Sequence, residues 1–129
     1  MIVDRVEPKD NSQLLEEILD ELVTHAPDIL SVLVVSDDGL NVASGIPHDD
    51  DDSLALIASD LMDMAEDFCN RLEQGRLNRI LLEGDHRTTI VVNAGTRTIL
   101  ATLVPADAKL GLVTLAMRRA ADQIAAIFG

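Results

Sequence analysis

VVSDDGLNVAS, residues 34–44, holds two short β-branched runs on either side of Ser36-Asp37-Asp38-Gly39. An Asp-Gly pair between apolar runs is a strong local signal for a β-hairpin, because glycine takes the positive φ that a tight turn requires. The first arm extends back to Ile29 and the second runs from Leu40 to Ser44. Upstream, Leu14, Leu15, Ile18, Leu19, Leu22 and Val23 recur at helical spacing, with Glu16, Glu17, Asp20 and Glu21 opposite them. Asp10 with Gln13 three residues on forms a capping box that starts this helix, and Pro27 ends it. Residues 1–9 are a flexible lead, and the folded domain spans 10–129.

Downstream of the hairpin, Gly45 to Asp52 is a loop with four consecutive aspartates, Asp49 to Asp52. A long helix follows from about Ser53 to Arg71, with its stop near Gly75. Three strands come next, Leu77 to Glu83, Thr88 to Val92 and Thr98 to Val104, joined by short turn-rich links that pair neighbours antiparallel. Pro105 and Asp107 lead into a last helix over Lys109 to Phe128. The order α-β-β-α-β-β-β-α makes an α+β domain with one five-stranded antiparallel sheet. The strands VLVV, ILL and IVV are apolar at consecutive positions, which places helices on both faces of that sheet.

The middle helix carries more apolar surface than one sheet face covers. At about 100° per residue, Leu54, Ile57, Leu61, Met64, Ala65, Phe68 and Leu72 form one stripe. Ala58, Met62 and Cys69 widen it on a shoulder. The excess points to a second subunit, with Ala58, Leu61, Met62, Ala65 and Cys69 as the dimer interface. Ala55, Ser59, Met62 and Glu66 form a row at the edge of the arc. Two small residues one turn apart there read as a ledge for a partner's backbone, with ordinary helix propensity as the alternative.

Composition narrows the function. Ten Lys and Arg oppose 23 Asp and Glu, for a net charge of −13, which repels nucleic acid and anionic membranes. Residues 1–67 hold 18 of the carboxylates and two bases, while 68–129 hold five and eight. This asymmetry reads either as solubility with contacts between the halves or as a polarised partner surface. No signal-peptide core or spanning apolar run is present, so the expectation is a cytoplasmic protein without membrane insertion.

Catalytic patterns are missing. There is no phosphate-binding glycine loop, no GxSxG and no HExxH. The single cysteine, Cys69, reads as a small core residue, and His25, His48 and His86 fall in three separate places. The aspartate run lacks the alternating ligands and the glycine of a calcium loop; Asp49 to Asp51 read as solvated, dipole-complementing residues that fold and partner binding can spare, with Asp52 or Ser53 as the cap. No cofactor and no metal are expected.

Set side by side, these motifs resemble the roadblock (dynein light chain) family, in its prokaryotic branch. The hairpin VVSDDGLNVAS, the strand RLNRILLEGD at 76–85 and LVPADAKLGLVTLAMRRAADQIAAIF at 103–128 carry the likeness, over about residues 12–128. The acidic insert PHDDDD at 47–52 matches no pattern of the family. The resemblance implies a non-enzymatic homodimer, or a heterodimer with a paralogue, with middle helices paired and sheets joined at an edge. It further implies a small Ras-like GTPase as partner, with a GTPase-activating or scaffolding role and the contact on the helix pair. The alternative reading is a small-molecule or signal-sensing domain with no GTPase, which the near absence of aromatic residues to line a cavity disfavours.

Overall fold

The computed structural model describes residues 9–47 and 49–129. The elements are α1 (Asn11–His25), β1 (Ser31–Ser36), β2 (Asn41–Ser44), α2 (Asp51–Arg71), β3 (Ile80–Glu83), β4 (Arg87–Asn93), β5 (Thr98–Pro105) and α3 (Leu110–Phe128). All strands pair antiparallel in one sheet of order β2-β1-β5-β4-β3. The long central strands β1 and β5 thus sit inside, and β2 and β3 are the edges.

Local chemistry explains the boundaries. Asp10 accepts a hydrogen bond from the Gln13 backbone N–H at 2.9 Å, and Gln13 Oε1 accepts from the Asp10 N–H. This capping box satisfies two of the free donors at the start of α1, worth about 1 kcal/mol. At the β1–β2 turn, Gly39 has φ +80°, and Ser36 Oγ accepts from the Leu40 N–H at 3.1 Å. A Cβ on Gly39 would also stand 3.0 Å from Leu56 of α2. The turn therefore needs glycine for its backbone conformation, while the terminal methyl of the exposed Leu56 could give way to a Cβ.

Several boundaries differ from the sequence reading, among them the first strand, which begins at Ser31 rather than Ile29. The strand expected from Leu77 begins only at Ile80, since the edge has a neighbour on one side alone and the register with β4 starts at Ile80 opposite Val91. The middle helix begins at Asp51 rather than Ser53, with Asp50 as an N-cap whose side chain makes no capping bond. The N-terminal lead, apart from Lys9, and His48 lie outside the described residues.

Two cores flank the sheet. On one face, α1 and α3 pack together over Val32, Val34, Ile90, Leu100 and Val104. Leu19, Met117 and Ile124 are buried there, and Thr102 donates its hydroxyl hydrogen to the Met117 sulfur at 3.1 Å. On the other face, Ala55 and Met62 of α2 meet Leu33, Val35, Val91, Ile99 and Ala101. Successive residues of a strand face opposite sides of the sheet, so β1 and β5, each buried at five consecutive positions, serve both cores.

Candidate interaction surface

The two apolar sides of α2 face different things. Ala55, Ala58, Ser59 and Met62 are buried on the sheet side. Leu54, Ile57, Met64, Phe68 and Leu72 stand in solvent on the adjacent side, Ile57 at 60% and Phe68 at 63% exposure. Ala58 and Met62 of the shoulder, expected at a dimer seam, instead face the protein's own sheet, and most of the stripe points outward.

Side-chain size decides the rotation. The sheet already presents Leu33, Val35, Val91 and Ile99 on this face. Small residues on the inward side of α2 let its backbone settle close to them, while Met62, unbranched and flexible, fills the remaining gap. The Ser59 hydroxyl donates to the Asp37 carbonyl at 3.4 Å, tying α2 to the β1–β2 turn.

The expected partner ledge is therefore corrected. Ala55 has no exposed surface, and Ser59 and Met62 are buried, so no partner backbone can reach them. Of that row only Glu66 is exposed. Among the residues expected at the dimer seam, Ala58 and Met62 are buried within the monomer. Leu61, Ala65 and Cys69 are half-buried, at the boundary between the two apolar sides.

Beside the outer stripe the sheet is open. α2 lies over β1, β2 and β5. A groove of about 490 Å³ separates it from the β4–β3 side, with Leu54, Ile57 and Leu61 on one wall and Leu82, Val91 and Leu103 on the floor. Its rim is polar, formed by Asp49, Asp50 and Arg87. On the edge strand β3, Leu82 is exposed on this face, opposite Thr89, while Leu81, opposite Ile90 of the other core, is exposed on the far face. Stripe, groove and edge form one continuous apolar surface. Each large side chain withdrawn from water there is worth about 1.5–3 kcal/mol, and contiguous patches of this kind mark association sites.

The acidic insert divides in two. Asp49, Asp50 and Asp52 are exposed, whereas Asp51 is buried at 6% in the first turn of α2. The expectation that Asp49 to Asp51 are all solvated is corrected for Asp51. Asp49→Ser with Asp50→Ser should shift the melting temperature by only a few degrees, consistent with about 0.3–1 kcal/mol for each exposed dipole contact. Asp51→Ser alone should cost more than that pair. Thermal melts followed by circular dichroism rank the variants, and equal shifts would contradict the division.

Among the described residues, no three His, Cys, Asp or Glu side chains cluster in a way that could hold a metal ion. Cys69 is a free thiol near the end of α2. His25 Nδ1 lies 2.8 Å from the Glu21 carbonyl at the end of α1, and His86 is exposed in the β3–β4 turn. The structure keeps them apart in the fold. Among the described residues, no helix is long and apolar enough to cross a membrane.

Comparisons with known proteins agree with this architecture. The Roadblock/LC7 domain model matches residues 15–104. MJ0310 of Methanocaldococcus jannaschii is 36% identical over 116 residues, covering 89% of this chain and 100% of its own. MglB of Myxococcus xanthus superposes with a TM-score of 0.84 at 21% identity, over 96% of this chain and 94% of that one. A Roadblock/LC7 domain from Streptomyces avermitilis gives 0.78 at 25% identity, over 84% and 92% respectively.

Proposed function

The chain belongs to the Roadblock/LC7 family, and from this we propose that it is a cytoplasmic, non-enzymatic, homodimeric interaction module that binds and regulates a small Ras-like GTPase. The observation that carries the dimer is the exposed stripe Leu54, Ile57, Met64, Phe68 and Leu72 beside an open half-sheet. A second copy of α2 laid along the first would cover the stripe and fill the groove. Edge strand β3, with Leu81 and Leu82 exposed, would come near its own counterpart. A two-fold pairing suits such a surface because the same patch serves both partners.

The GTPase follows from the family resemblance. With Ala55 and Ser59 sealed against the sheet, the contact would fall on the exposed outer flank of the helix pair, where Glu66 stands with Asp60, Asp63 and Asp67. α2 holds a single base, Arg71, paired with Asp67 at 3.0 Å. An arginine finger from α2 is therefore not part of the reading; any acceleration of hydrolysis would act through the GTPase's own residues.

The test mixes the purified protein with small Ras-like GTPases of the same organism, each loaded with GDP or a GTP analogue. Binding is read by calorimetry and hydrolysis by phosphate release. One GTPase should bind in a nucleotide-dependent way, and Glu66→Arg with Asp63→Arg should weaken it while leaving the mass of the free protein unchanged. Binding to none of them in either nucleotide state would remove the GTPase from the function.

A further inference from the structure

On the sheet face opposite α2, the helices α1 and α3 leave an open groove of about 200 Å³ between them. Leu22, Ala116 and Ala120 line it, with Leu112 and Leu115 on the α3 side. Both of those leucines are more than half exposed, Leu115 at 57%. Glu21 stands on the α1 wall and Arg119 on the α3 wall. Among the described residues no ion pair engages either one.

The charge around the groove is split in the same sense. The outward side of α1 carries Glu16, Glu17, Asp20 and Glu21, with Lys9 paired to Glu17 as its one base. The outward side of α3 carries Arg118 and Arg119 against Asp122. A surface with an apolar centre, one acidic edge and one basic edge is complementary to itself. A two-fold axis running along the groove lays each α1 over the partner's α3, so that Glu21 meets the partner's Arg119 twice. The perpendicular two-fold would stack α1 on α1 and oppose like charges, which costs association energy.

We infer that a second copy of this chain docks on the α1–α3 groove through Leu112 and Leu115, aligned by Glu21 and Arg119. The contact is separate from the α2 surface, lies on the other side of the sheet, and does not require a GTPase. With the α2 dimer it joins dimers into tetramers. It is the weaker of the two, because its apolar centre is smaller and its charges are exposed to salt.

The test is mass against concentration by analytical ultracentrifugation, for the full chain and for an Ile57→Glu, Phe68→Glu background in which the α2 contact is removed. In the background the self-association that remains should be a monomer–dimer equilibrium, weakened by raising salt from about 50 to about 500 mM. Leu115→Glu should abolish it. Glu21→Arg and Arg119→Glu should each weaken it by about tenfold or more, and the double exchange should restore it. If the α2 reading alone fails, the two backgrounds behave alike and the charge-exchange pattern survives. A background that stays monomeric at every concentration, or a double exchange no better than the singles, would overturn the inference. So would loss of GTPase binding in Arg119→Glu with masses unchanged, which would give the groove to the GTPase instead.

Discussion

Met62→Glu is expected to abolish the folded state rather than to divide a dimer. Met62 is 2% exposed and packs with Ala55, Leu33 and Val91 between α2 and the sheet. A carboxylate there has no partner, and burying it costs several kcal/mol. That is a large part of the roughly 5–15 kcal/mol that holds a domain folded. Ala55→Arg with Ser59→Arg should do the same, since Ala55 has no surface at all and Ser59 holds α2 to the Asp37 carbonyl. Far-UV circular dichroism and thermal melts check both, with Met62→Leu as a control expected to cost under about 1.5 kcal/mol. Folded, partner-deficient proteins from these variants would mean that α2 is rotated relative to this structure.

The second large effect is the converse. Ile57→Glu with Phe68→Glu should keep the fold and lose the α2 self-contact. Both side chains are more than half exposed in the single chain, so a carboxylate at either position remains in water in the monomer. In a pair of α2 helices the same carboxylates would be desolvated against apolar surface, a penalty of several kcal/mol that shifts association by orders of magnitude. Light scattering at micromolar concentration should give twice the chain mass for the unmodified protein, or more where the dimers join. Adding Leu115→Glu to the double variant should give a single chain's mass, with a native circular dichroism spectrum. An unmodified protein that is monomeric at these concentrations would contradict the dimer. A double variant with unchanged association would place the contact elsewhere.

Several features needed no tertiary information. The Asp-Gly turn at 38–39 fixes a hairpin because few residues other than glycine take φ near +80°. Asp10 and Gln13 mark the first helix because their bonds are made within one turn. Element order, antiparallel pairing through short links and helices on both faces follow from the same local rules with the two-residue and 3.6-residue periods. The excess apolar arc on α2 is also a property of the sequence, since it depends only on which residues share a helical face.

What the sequence by itself determined, then, is the order of the elements, their pairing and the presence of a second apolar side on α2. Which side faces inward is a tertiary property. Periodicity measures hydrophobicity around a helix axis, and by that measure Leu54, Ile57, Phe68 and Leu72 outrank Ala55, Ala58 and Ser59 for the core. The sheet reverses the ranking, because Leu33, Val35 and Ile99 already fill its surface and only small side chains allow close packing of a helix on them. The burial of Asp51 and the late start of β3 at Ile80 have the same origin: each depends on what another part of the chain places opposite it. Hydrophobic pattern states that a surface must be covered; only the packed neighbours, through their size and position, decide which covering each surface receives.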